Sequence, residues 1–204
     1  CLPHAGAAPS EVQLRPWTER AIRLLMPGTI GDPRALHREA RQGIEDKLGP
    51  DWAKLYDDLV ADERLAFDDA LVEKAQRARR RLGDPNALSP ALCVVTTQAI
   101  RAKRNARRLA VVRALDDAGV AVTLCGKGWD AFAFANHRTL GPKTFAETCA
   151  LFADARVVLH VNPLFSSALH ERVIYAALAG AVVASDANTR MKRTLAQGRG
   201  LGYD

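Results

Sequence analysis

The sequence predicts an α/β protein: a Rossmann-like parallel sheet flanked by helices, preceded by a mostly helical N-terminal segment. Three observations carry this. Val157 to Val161 and Ala181 to Ala184 are short, β-branched apolar runs of the kind that fill buried parallel strands. Between them lies a loop and a small-residue helical run, so the stretch reads strand, loop, helix, strand. A second such unit is read upstream, where the basic amphipathic run Arg101 to Asp117 sits between apolar runs at Leu92 to Thr96 and Val120 to Cys125.

Taken in order, residues 1 to 18 are rich in Pro, Ala and Gly without a sustained period and read as a linker. Ala21 to Met26 is a short strand candidate. The turn after it ends in Asp32-Pro33, an N-cap followed by proline at the first helical position. From Arg34 to Leu82 the pattern is helical: Leu36, Ala40, Ile44 and Leu48 recur every four residues, and Gly49-Pro50 break the run. Asp84-Pro85-Asn86 with Ser89-Pro90 marks a boundary, which divides the chain into a linker and helical segment, 1–90, and a sheet domain, 91–204. Within the latter, Leu92 to Thr96 is expected as a buried strand and Arg101 to Asp117 as a helix stopped by Ala118-Gly119. Val120 to Cys125 is the next strand. Arg138 to Gly141 is a further short strand, and Pro142-Lys143-Thr144 leads into a helix through Ala153. The tail is read as a helix, Asn188 to Gln197, and an edge strand, Gly200 to Tyr203.

The polar residues gather at strand ends. After Val161 come Asn162, Pro163, Ser166 and Ser167; His170, Glu171 and Arg172 then open a helix that ends near Gly180, where a C-cap glycine belongs. After Cys125 come Gly126, Lys127, Gly128 and Trp129. Parallel sheets bind ligands outside the carboxyl ends of their strands, and the unpaired N–H groups of a helix start favour a phosphate. The structural alternative for His170 to Arg172 is a polar helix start whose Glu suits the helix dipole and whose Arg pairs locally.

The stretch NPLFSSALHERVIYAALAGAVVASD resembles the donor-binding signature of GT-B glycosyltransferases, especially the family 1-like branch that includes the CgeB-type spore-maturation proteins. The resemblance implies that this segment holds the diphosphate and sugar of a nucleotide-sugar, with Asn162, His170, Glu171 and Arg172 as donor contacts. Tyr175 stands where many relatives carry an acidic residue matched to ribose hydroxyls. The strand ending in Gly126-Lys127-Gly128-Trp129 resembles the opening of the same donor domain, which implies that Gly126, Lys127 and Gly128 lie near the phosphates. Relatives place the base near the turn at Pro142, beside Gly141 and Lys143, residues that helix capping alone explains equally well. The implied reaction moves a sugar from a nucleoside diphosphate to an acceptor. It requires no cofactor and no bound metal. Acceptor binding belongs to an N-terminal domain of the same, longer chain, and the piece in hand is expected to bind donor without turning it over.

Composition sets the outer limits. The chain has 204 residues, 48% hydrophobic and 25% charged, which is ordinary globular material. Its 29 Lys plus Arg against 23 Asp plus Glu leave a formal charge of +6, which attracts anions in general. The four cysteines lack metal-ligand spacing and read as free thiols of a cytoplasmic protein. No apolar run is long enough to span a membrane, and no G-x-S-x-G nucleophile elbow occurs. The first residue is Cys, and the expectation is a fragment of a longer protein. Two other functions stay open beside the transferase: a non-catalytic nucleotide or sugar-nucleotide binding module, which Tyr175 favours, and a nucleic-acid binder built on the basic helix Arg101 to Arg113.

Overall fold

The computed structural model describes residues 14–62, 73, 76–78, 80, 82, 90–161 and 170–186. They form two compact units. One takes 14–30, 108–161 and 170–186, and the other takes the described residues of 31–107. The tail from 187 on, and with it the expected helix and edge strand there, lies outside the described residues, as does Asn162.

The first unit holds a sheet of five parallel strands: β1 (Ile22–Pro27), β2 (Thr123–Cys125), β3 (Arg138–Thr139), β4 (Ala155–His160) and β5 (Val182–Ser185). Their order across the sheet is β3-β2-β1-β4-β5, that of a doubly wound Rossmann sheet. Strand β1 is central. Leu25 pairs with Thr123 of β2 on one side and with Val158 of β4 on the other. A strand in that position is covered on both faces, which explains the unbroken Leu24-Leu25-Met26 run. The two strands expected around residues 157–161 and 181–184 are indeed parallel neighbours, with Val157 opposite Val182 and His160 opposite Ser185.

Helices cover both faces. On one, α4 (Phe145–Asp154) and α5 (Glu171–Leu178) bring Phe152 and Ala176 against Leu25, Cys125 and Val158. On the other, the last ten residues of α3 (Pro90–Asp117) bring Leu109 and Val112 against Met26, Leu124 and Trp129. Helix α4 starts in a full capping box: Thr144 Oγ1 accepts from Glu147 N, and the Glu147 carboxylate accepts from Thr144 N at 2.7 Å. That backbone bond holds the Glu147 carboxyl below its usual range. At the amino-terminal rim, buried Arg20 donates to Ala155 O at 2.8 Å and Ala179 O at 3.0 Å. It ties the foot of β4 to the end of α5, satisfying its own buried charge with carbonyl dipoles.

The second unit is helical. Helix α1 (Pro33–Leu48) begins as its sequence requires, with the Asp32 side chain accepting from Arg34 N and Pro33 at the first position. Helix α2 (Pro50–Ala61) follows directly, and its Leu55, Tyr56 and Leu59 share a core with Ile44, Leu92, Val95, Ala99 and Ala102. This core corrects one expectation: Leu92 to Thr96 is not a strand but the opening of α3. A five-residue apolar run is ambiguous between the two periods. Extended to Ala102, the buried positions 92, 95, 99 and 102 recur every three or four residues, while Cys93 and Val94 face out. Thr96 Oγ1 bonds back to Leu92 O at 2.8 Å, which reconciles a β-branched residue with the helix. The strand that pairs with β2 is therefore β1, from before residue 30, and the compact units divide at 30/31 and 107/108. Among the described residues, no helix is long and apolar enough to cross a membrane.

Candidate functional site

The strand order reverses between β1 and β4. From β1 the chain builds outward through β2 and β3 on one side, and β4 and β5 lie on the other. The connections at that point leave in opposite directions, which makes the carboxyl ends of β1 and β4 the position where open parallel sheets place a ligand crevice. Gly28 and Thr29 follow β1, His160 ends β4, Ser185 and Asp186 end β5, and His170 to Arg172 begin α5.

Arg108 reaches this rim from α3. It is 4% exposed, and its guanidinium donates to Thr29 O at 2.8 Å. Its guanidinium carbon sits 3.3 Å from where a side chain on Gly28 would begin. Any larger residue at 28 would press on that cation. Lys103 and Asn105 of the same helix are also buried. The basic run Arg101 to Arg113 is therefore only in part a solvated stripe.

His160 is 3% exposed. Its Nδ1 lies 3.1 Å from Ser185 Oγ across the β4–β5 pair, and its Nε2 is buried without a hydrogen-bond partner among the described residues. Burial, with the charges of His170, Arg172 and Arg108, lowers its pKa to about 3, so the ring is neutral at physiological pH. The His170 ring lies 4.9 Å away, tilted by 48°.

His170 caps α5. Its Nδ1 accepts from Arg172 N at 3.2 Å, the role an Asn or Asp side chain plays elsewhere. Glu171 is exposed in the first turn and Arg172 is half-buried. Tyr175 packs against the core and meets Phe145 edge to face at 5.1 Å. Phe145 is 61% exposed, so the pair forms an aromatic edge near the start of α4.

The Gly126-Lys127-Gly128 loop lies on the same rim, next to the end of β1. Its glycines face backbone. A methyl group on Gly126 would fall on the Gly28 carbonyl, and one on Gly128 on the Ile30 carbonyl; both residues also have positive φ, 140° and 92°. The two loops are clasped by Gly28 N to Cys125 O at 2.7 Å and Ile30 N to Lys127 O at 2.9 Å. Buried Trp129 donates from Nε1 to Gly28 O at 2.6 Å. Lys127 itself is exposed. The base of this loop lies within electrostatic reach of the helix starts. Burial pushes the Cys125 thiol up, and the charges of Lys143, Glu147 and Arg172 act on it in turn.

The described residues thus bring His170, Glu171, Arg172 and the 126–128 loop to one rim on either side of β1, with Tyr175 one turn further along α5. Arg108, His160 and Ser185 were not singled out from the sequence. Arg108 is one of several cations in a basic helix, and its buried bond to Thr29 O at the end of β1 distinguishes it. His160 could have been found as a polar residue closing an apolar strand. No group of three or more His, Cys, Asp or Glu suited to a metal ion occurs among the described residues.

Residues 104–202 match the family of glycosyl transferase-like proteins. The matched span contains β2 to β5, α4, α5 and every rim residue except those that follow β1. Neither the curated proteins nor the solved structures compared give a significant match. The similarity supports a glycosyltransferase-like domain with a parallel sheet and a role in glycosyl transfer in general.

Proposed function

We propose that this chain is the donor-binding half of a GT-B glycosyltransferase of the family 1-like, CgeB-type branch, and that it holds a nucleoside-diphosphate sugar at the β1/β4 crevice. One observation carries the reading: Arg108, His170, Arg172 and the first turn of α5 converge where the strand order reverses, within or beside the transferase-like span. Departure of a nucleoside diphosphate leaves negative charge on its outer phosphate. Preorganised cations and helix N–H groups meet that charge without a divalent ion. In this role Arg172 takes the diphosphate and Glu171 accepts hydrogen bonds from sugar or ribose hydroxyls. Lys127, exposed on the adjoining loop, faces the same anion, and Asn162 contributes from the connection after β4. The acceptor and the group that activates it belong to an N-terminal domain of the longer protein, which acts in the cytoplasm, where nucleotide-sugars are made.

Calorimetric titration of the chain with UDP, GDP and their sugar derivatives tests the reading. Saturable binding that Arg172→Ala weakens supports it, and no binding of any of them refutes it. A second reading, a sugar-nucleotide binding module without transferase activity, is favoured by Tyr175, whose ring packs on Phe145 at a position where a carboxylate would be the two-oxygen acceptor. Sugar transfer by the longer protein, abolished by Glu171→Ala, separates the two.

A further inference from the structure

Among the described residues, His160 Nε2 is a buried nitrogen with no hydrogen-bond partner, and it closes β4 beside the place proposed for the donor. Ser185 Oγ lies 3.3 Å from Asp186 O and 3.1 Å from His160 Nδ1. With its one proton on Asp186 O, Ser185 accepts from His160, which puts the imidazole proton on Nδ1. This tautomer leaves Nε2 as a bare lone pair in a residue 3% exposed. A buried acceptor left unsatisfied costs stability, so its persistence calls for a partner that a ligand or a water can supply. The groups that face it are His170 at the cap of α5, Arg172 in its first turn and Arg108 from α3. None of them bonds Nε2.

The two arginines favour an anion nearby, but a lone pair repels phosphate oxygens. What Nε2 can take is an O–H donor. We propose that His160 is a further ligand-binding residue of this site, held by Ser185 in the Nδ1–H tautomer so that Nε2 accepts a hydrogen bond from a hydroxyl of the bound sugar nucleotide. The proposal rests on the donor-site reading and adds a chemical requirement to it: the ligand must present a hydroxyl close to its phosphates. Two hydroxyl sources meet that requirement, the transferred sugar and the ribose. Protonation of His160 would convert the acceptor into a donor, and the low pKa of the ring prevents this at physiological pH.

Imidazole 15N resonances of the labelled 204-residue chain read the tautomer and the bonding of Nε2 directly. They are recorded free and in the presence of UDP, 2′,3′-dideoxy-UDP and UDP-glucose, with the guanosine counterparts. In the free protein Nε2 is expected to be unprotonated and Nδ1 protonated, and saturation with the correct ligand shifts Nε2. A shift with UDP but not with the dideoxy compound assigns the ribose, and a shift only with the sugar nucleotide assigns the sugar. His160→Leu is expected to weaken the ligand carrying that hydroxyl about tenfold and to leave the analogue lacking it unchanged. Binding with Nε2 protonated in the free protein, or unmoved at saturation, overturns the inference and leaves the donor-site reading standing. If no nucleotide or sugar nucleotide binds at all, the donor-site reading fails and this inference with it. The resonance experiment uses the unaltered protein, so it decides even if His160→Leu does not fold.

Discussion

The Gly126–Gly128 loop and the His160/His170–Arg172 cluster occupy the same rim, and in the sequence both have the look of ligand loops. Their physical situations differ. In the loop, the missing side chains are accounted for by protein: the carbonyls of Gly28 and Ile30 stand where Cβ atoms would be, and the two loops are bonded together. In the cluster, a buried nitrogen has no hydrogen-bond partner among the described residues, and Arg172 and Arg108 lie near it. A glycine after a strand says that something comes close. Only the surroundings say whether that something is backbone or ligand.

This contrast can be broken by substitution. Gly126→Ala and Gly128→Ala should each destabilise the fold by about 3–5 kcal/mol, since the new methyl meets backbone that cannot step aside and φ is positive. Gly141→Ala, with φ at 67° and open space around it, should cost only about 1–2 kcal/mol. Equal denaturation midpoints for the Gly126 and Gly141 variants would remove the clasp from the account.

Arg172→Ala reverses the pattern. It is expected to weaken nucleoside diphosphate binding by about 1.5–3 kcal/mol and to leave the melting temperature nearly unchanged. A folded variant with undiminished affinity takes Arg172 out of the site. A variant that loses stability instead shows that Arg172 belongs with the loop, among the structural groups.

The His160 ring sharpens the same division through pH. Its folded pKa, about 3, lies below the ordinary 6.5, so between those values the unfolded chain binds a proton that the folded chain refuses. The stabilisation is complete above the unfolded pKa and is lost as pH falls toward the folded one. The slope from this group is at most about 1.4 kcal/mol per pH unit. His170, Arg172 and Arg108 contribute the surrounding charge. Stability curves from pH 7 to pH 4 should be flatter for His160→Leu than for the parent chain, and curves of equal slope would show that His160 titrates normally.

The smallest effect is chemical. Cys93 is exposed, whereas Cys125 and Cys149 are buried, and burial raises both thiols. Of these three, alkylation of the native protein should label Cys93 first, and labelling of Cys125 at a similar rate would show that the clasped loop opens readily.

Where the signal is local, the sequence is a sufficient guide. Asp32-Pro33 starts a helix, Thr144 and Glu147 close a capping box, and two β-branched runs around 157 and 182 pair in parallel. These outcomes follow from hydrogen-bonding capacity and side-chain period within a dozen residues. Leu92 to Thr96 shows the limit. Its five residues fit either period, and the choice was made by Tyr56 and Leu59, which offer that segment a helical face to bury. The same limit hid the central strand's partner, since β1 and β2 are separated by some ninety-five residues of chain and pair by register alone.

What the sequence by itself determined is the α/β class, the strands and helix starts on either side of β4, and the chemistry gathered at their carboxyl ends. Tertiary structure decided the rest. It set β1 between β2 and β4, which sets the position of the crevice, and it filled the space beside Gly126 and Gly128 with backbone. It also selected Arg108 from a row of similar cations and left His160 Nε2 buried without a hydrogen-bond partner among the described residues. The physical reason is common to all four. Strand order, close approach and burial are relations between residues far apart in the chain, and no local period or propensity encodes them.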